Sequence, residues 1–469
     1  MGSRIRRADL DFLGGRAIVA HLPRRSTMPR IARMLCITAV AGGCVGTPAI
    51  AQHNIGGRMD FLPPAREVNR VAEAPAGRTL AITGATLFDG RGAPPVPDAV
   101  VVVRDGRILA VGPRATVEIP AGAEIVDATG QSVMPGLIDA HFHLDGDLPL
   151  PSLFLQRGVT SLRDPGAWIE AYDPVRSSSS PIPRLFLTGP HLDAPPPAHP
   201  KDALLVLDPA EARAAVHRLA DQGASAIKIY YRLPLGTIRA VNEAAHERGL
   251  ITTAHLEIAD AGDAVRAGLD GVEHVTSFGT AIVPLRDAED FRQAVLADNA
   301  ARGPSRYALW SNVDLDSPRV RAILDLLASE GTFFTPTLAI FERRPGDPGS
   351  NDVEARAFTN MLGFVRRAHG AGVRIVVGSH SAVPHAERGD AYVREMELLH
   401  EAGLSRGEVL SAATLENARF FRIQDRLGTL EPGKIADLIL VRGNPGEDLS
   451  ALRDVRRVML NGVWVTPSR

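Results

Sequence analysis

Cysteine, lysine and long apolar runs are all scarce in this 469-residue sequence, and each shortage excludes something. Its two cysteines, Cys36 and Cys44, both lie in a stretch that reads as an export leader. Basic residues 28–33 precede an apolar run over 34–46, and Ala49-Ile50-Ala51 supplies the small-x-small pattern of a signal peptidase site. The sequence therefore predicts a signal peptide over 1–51, cleaved after Ala51, and a periplasmic or secreted product. Residues 1–27 add nothing such a peptide needs, and Met28 is an alternative start. A lipoprotein anchored at Cys44 is the weaker alternative, because Ala41 stands where a larger aliphatic residue is usual. Cleavage would leave no thiol, so any metal must bind nitrogen or oxygen. No apolar run beyond the leader approaches the roughly 18 residues of a membrane-crossing helix, so no membrane span is expected.

A surplus of positive charge is also missing. Residues 1–51 carry eight arginines against two aspartates, so the net charge of −2 becomes −8 without them, which argues against nucleic acid as a partner. The rest is ordinary globular composition, 45% hydrophobic and 23% charged, in a chain long enough for more than one domain. A small-molecule substrate is the expected partner, with a homo-oligomer left open.

After a proline-containing lead-in (52–78), residues 79–133 alternate apolar and polar in short runs separated by Gly and Pro, which predicts strands. Residues 427–469 repeat the style, and the two ends are read as one small β-sandwich. Between them, over 134–426, eight apolar strands alternate with helices: PGLIDAHFH, VTSLRD, PRLFLTGP, AIKIYY, ITTAHLE, GVEHVTS, FFTPTLAI and RIVVGSH. Eight such units predict a closed (β/α)8 TIM-like barrel, an α/β fold whose chemistry sits at the C-terminal ends of its strands.

Those ends carry histidine. His141 and His143 stand two apart on the first strand and share a face. His255, His274 and His380 close three later strands, so five of 14 histidines gather where a barrel mouth should be. Neutral imidazole suits zinc and similar divalent ions. Lys228 lies inside an apolar strand, in a chain that otherwise uses lysine only at 201 and 434 and has 49 arginines. Burial can free such an amine of its proton, and a free amine can take up carbon dioxide as a carbamate.

PGLIDAHFH, the strand lysine, the two later single histidines and the closing AATLENARFF…GTLEPGKIADLILVRGNPGEDL together resemble the amidohydrolase superfamily, in particular its imidazolonepropionase-like and prolidase-like members with a carboxylated lysine. The resemblance covers about residues 79–469. It implies two zinc ions, His141 and His143 on one, His255 and His274 on the other, and carboxylated Lys228 bridging both. It also implies that a metal-bridging hydroxide attacks a carbonyl carbon.

One position departs from that pattern. Where the family has an aspartate after the eighth strand, this chain reads Gly378-Ser379-His380-Ser381. His380 is then the candidate for both metal ligand and proton carrier, and loss of a carboxylate makes the site more positive, favouring an anionic substrate. Candidates for binding that substrate are Arg163, His191, Tyr230, Arg232 and His385. Thr337 is expected to face the pocket, Asp437 to support the sandwich, and Glu273, by strand alternation, to point away from His274 as a structural hydrogen-bonding group. The reading is hydrolysis of a C–N bond in a substrate such as an N-acyl amino acid or dipeptide. Lactone or ester hydrolysis, a non-hydrolytic reaction, or a binding protein that has lost turnover are the alternatives.

Overall fold

The structure is a computed structural model describing residues 62–465. The expected signal peptide, with its expected cleavage after Ala51 and the alternative anchor Cys44, lies outside the described residues. The first strands are β1 (Thr79–Leu87), β2 (Val96–Arg104), β3 (Arg107–Pro113), β4 (Glu124–Asp127) and β5 (Gln131–Pro135). The last three are β16 (Leu438–Arg442), β17 (Val455–Leu460) and β18 (Val463–Trp464). Both groups join one eight-stranded sheet in the order β18-β17-β16-β5-β1-β2-β3, with β4 pairing β1. The two ends of the chain meet where β5 runs antiparallel to β16, Leu438 opposite Pro135. Both faces of these strands are buried: Val101, Val103, Leu438 and Leu440 pack in one cluster, Val100 and Val102 in a second, and Ile439 and Val441 join the barrel core.

The barrel strands follow directly. They are β6 (Leu137–Asp139), β7 (Val159–Asp164), β8 (Arg184–Leu187), β11 (Ile227–Ile229), β12 (Thr252–His255), β13 (Gly271–Glu273), β14 (Phe333–Thr335) and β15 (Arg374–Ile375). Each falls on one of the eight predicted strands. An extra parallel pair, β9 (His191–Asp193) and β10 (Ala203–Leu205), is inserted after β8. Hydrogen bonds close the ring on both sides, from Ser225 N to Leu187 O at 2.7 Å and from Ala140 N to Val377 O at 3.0 Å. Helices wrap the outside with ordinary caps. The helix Pro318–Glu330 starts on the Ser317 side chain and ends at Gly331 in the left-handed region. Asp437 ties sheet to barrel, accepting from Arg184 Nε at 2.8 Å and from Asn461 N at 2.6 Å.

Candidate metal centre

Six side chains converge at the C-terminal ends of five barrel strands. His141 and His143 follow β6, Lys228 lies in β11, His255 ends β12, His274 follows β13 and His380 follows β15. The imidazoles form one continuous cluster. Ring centroids are 4.9 Å apart for His141 and His143, 4.6 Å for His141 and His274, 4.3 Å for His255 and His274, and 4.8 Å for His143 and His380. Nε2 of His141 and Nε2 of His143 point at each other across 3.0 Å.

Holding them there takes unusual backbone. His274, Thr337, His380 and Ser381 all have positive φ, between 45° and 68°, a conformation costing of order 1–3 kcal/mol per non-glycine residue and typical of functional sites. Gly378 lets the His380 segment pass close to the first strand, since a Cβ there would lie 2.5 Å from His141 Cβ. His380 N then donates to His141 O at 2.7 Å.

Burial sets the protonation of the cluster. It holds His141, His255, His274 and His380 well below the usual imidazole range, and His143 at about 3, so all five are neutral with nitrogen lone pairs available. Burial, and then neighbouring Arg163, likewise push the Lys228 amine far below its usual range. The donor set fits divalent cations on its own chemistry. His255 Nδ1, His255 Nε2 and His141 Nδ1 are buried without a hydrogen-bond partner, and the buried Lys228 amine meets only Glu273. His141, His143 and His380 form one group of close ligand atoms, and His141, Glu273 and His274 form a second.

Glu273 corrects the alternation argument. It is fully buried at the bottom of the cluster, forms ion pairs with Lys228 and Arg163, and lies 3.4 Å from His141 Nδ1. The left-handed backbone at His274 breaks the strand period, so both residues serve the site.

The residues expected to bind substrate divide. His191 and Tyr230 line the cavity over the cluster, which holds about 690 Å3. Arg163 does not, because it fills the barrel interior, donating to Ala140 O at 2.8 Å and Thr253 Oγ1 at 3.0 Å besides pairing with Glu273. Arg232 turns away to Val295 O, at 2.8 Å, and to Asn299. His385 is exposed and pairs with Asp347 at 3.0 Å. Thr337 contacts His274 rather than the cavity. Asp164 is occupied too, accepting from Leu144 N, Gly166 N, Ala167 N and Tyr172 Oη, which shapes the loops beside His143.

Sequence reasoning missed Glu257, Arg302 and Arg306. Glu257 lies 3.3 Å from His255 Nε2, and the two arginines line the cavity. Alternation two residues beyond His255 was the available signal for Glu257. None existed for the arginines, which a helix brings in from distant sequence.

The profile of the amidohydrolase family matches residues 152–465. The chain belongs to the amidohydrolase family. Amidohydrolases similar to it over short stretches include an adenine deaminase of Paracoccus denitrificans (strain Pd 1222), 34% identical over 100 residues, 20% of this chain and 17% of that one. An N-acyl-D-aspartate deacylase of Alcaligenes xylosoxydans xylosoxydans is 43% identical over 76 residues, 16% of this chain and 14% of the deacylase. An imidazolonepropionase of Methylobacterium nodulans is 48% identical over 61 residues, 13% of this chain and 15% of that enzyme. The matched stretches thus span less than a fifth of each relative. Solved structures align over far more. One described as a prolidase from Bifidobacterium longum is 27% identical with a TM-score of 0.64, over 84% of this chain and 96% of that one. An A. niger ochratoxinase, 19% identical with a TM-score of 0.63 over 83% and 96%, shares the fold. The amidohydrolase fold is a TIM barrel with an additional sheet domain, and the family is generally metal-dependent.

Proposed function

We propose that this chain is a metal-dependent hydrolase cleaving a C–N bond, amide or peptide-like, in a small carboxylate-bearing substrate such as an N-acyl amino acid or dipeptide. The observation that carries the reading is the gathering of five imidazoles and the buried Lys228 amine on the floor of one cavity. The prolidase-like neighbours and the deacylase relative support the bond type.

In this reading His141, His143, His255 and His274, with Lys228 as a carbamate, would hold two zinc ions. Metals bound there would supply Lewis acidity for a carbonyl oxygen and a water acidic enough to attack near neutral pH. The protein's own groups do the rest. Glu273 faces Lys228, so a cation held between them would offset the negative charge that a carbamate adds beside that carboxylate. His380, neutral and beside both His141 and His143, is placed to accept the proton of the attacking water and pass it to the leaving nitrogen.

His380 also favours a second reading, a ligand-binding protein without turnover, because it stands where the resemblance implies a carboxylate. A turnover screen of the zinc-loaded protein separates the two. N-acyl amino acids, Xaa-Pro and Xaa-Arg dipeptides, cyclic imides and lactones are offered in turn. Amine release upholds the proposal, lactone opening alone moves it to ester chemistry, and binding without turnover of any of them sinks it.

A further inference from the structure

The connection from β13 to β14 is longer than one barrel unit needs. Besides the helix Pro318–Glu330 it contains a short helix, Gly279–Ile282, and two longer ones, Leu285–Ala297 and Arg302–Ser311. This insertion is pinned to the barrel mouth at Asn299, whose Oδ1 accepts from Tyr231 Oη at 2.6 Å and from Arg232 Nε at 3.1 Å. Three residues further on, Arg302 and Arg306 stand one helical turn apart, so both reach the same side, into the cavity.

Both guanidiniums close on one carboxylate. Glu257 Oε1 accepts from Arg306 Nε at 2.7 Å, and Glu257 Oε2 lies 3.2 Å from Arg302 Nε. Glu257 is 1% exposed, and its Oε1 also faces His255 Nε2 at 3.3 Å. A buried and a half-buried cation sharing one anion leave a positive charge uncompensated in that group, which is costly unless something else balances it. The outer edge of Arg302 shows where. Nη1 and Nη2 reach only the Tyr230 hydroxyl, at 3.4 and 3.5 Å, longer than a good N–H···O bond. His191, its ring tilted against that of Tyr230 at 4.4 Å, leaves its Nε2 buried without a partner in the same cavity. A planar fork with unused donors, a free imidazole nitrogen and one surplus positive charge together match a carboxylate.

We propose that Arg302 and Arg306, carried over the barrel mouth by the helical insertion, form the subsite for the substrate's carboxylate, and that Glu257 is the positioning residue that locks this subsite against His255. This rests on the hydrolase reading above and names where its substrate's charge is held. Because Glu257 touches both His255 and the arginines, the subsite lies beside the proposed zinc ligands. The carboxylate recognised is one close to the bond cleaved.

The test uses N-acetylalanine and its neutral counterpart N-acetylalaninamide with the zinc-loaded chain. Acetate release is followed by kinetics, binding by calorimetry and zinc by elemental analysis. The wild type should prefer the carboxylate by about tenfold or more, the worth of a charge-assisted pair. Arg302→Met should bring that ratio near one, mainly through KM, with zinc content unchanged. Arg302→Lys, which keeps the charge but not the fork, should fall between and guards against a folding defect in the first variant. Glu257→Gln should lose the preference and part of the zinc together. A folded Arg302→Met protein that keeps the wild-type ratio overturns the subsite, and Glu257→Gln with full zinc and full preference overturns the positioning role. If no compound is turned over but calorimetry shows a carboxylate preference that Arg302→Met abolishes, the subsite stands and the hydrolase reading falls.

Discussion

Thr337 Oγ1 lies 2.6 Å from His274 Nδ1, and Thr337 reaches it from a left-handed backbone at φ 45°. With Nδ1 engaged by a hydroxyl, Nε2 is the nitrogen left for a cation, and the ring is fixed in the orientation that presents it. Thr337→Val, which keeps the shape and removes the hydroxyl, should weaken zinc binding about 10- to 100-fold, whereas Thr337→Ser should stay near wild type. Competition with a chelator of known affinity measures this. Equal zinc affinity in wild type and the valine variant would show that the contact does not orient the ring.

Lys228→Ala should lose zinc and activity together, with partial recovery of both on adding short-chain carboxylic acids that stand in for the carbamate. Full zinc content in the unsupplemented variant would exclude the bridging role.

His380→Ala should lower turnover by roughly a hundredfold or more, the usual contribution of a positioned acid/base, while zinc is retained by the other ligands. His380→Asn should match the alanine variant, and His380→Asp, which restores a side chain able to carry the proton, should recover part of the rate. Wild-type turnover in both the alanine and asparagine proteins would make His380 a bystander.

The loop that presents Thr337 is held from behind by Glu395, on the helix Ala391–Glu401, which accepts from Ala339 N at 2.8 Å. Burial pushes this carboxyl up to about 8. A raised carboxyl pKa means that the folded chain keeps a proton that the unfolded chain, at about 4.3, releases. Stability from this group is therefore present at low pH and falls as pH rises from about 4.3 towards 8. Thermal midpoints of wild type should decline over that window relative to Glu395→Gln, whose side chain does not titrate. Parallel pH profiles for the two proteins would refute the assignment.

The barrel is legible because its strands are apolar runs alternating with helices, and four of the eight end in histidine, which marks the chemical end. The five histidines of the cluster, from His141 to His380, follow from that pattern, and Lys228 from its place inside an apolar strand. Alternation failed where the backbone left the strand conformation, at His274, and so Glu273 was assigned to the wrong surroundings. It also says which face a residue takes but not how deep it lies, which is why Arg163, a barrel filler bonded to Thr253 and Glu273, read as a substrate contact. Arg302 and Arg306 were beyond reach for another reason. Their place depends on an insertion folding back 49 residues to Glu257, and helical spacing alone does not reveal what a helix covers.

The pairing of β5 with β16 has a consequence for biosynthesis. Strand β5 leads into the barrel through Gly136, whose N–H donates to Asp437 O at 3.0 Å, and then into the strand that carries His141 and His143. During synthesis the β5 edge has no partner until the far end of the chain has emerged, so the nascent protein carries an open, aggregation-prone strand for most of its translation. The histidines are gathered only when the ring closes between Ala140 and Val377. If the leader expected over 1–51 carries the chain out unfolded, ring closure and any metal uptake would both take place on the far side of the membrane.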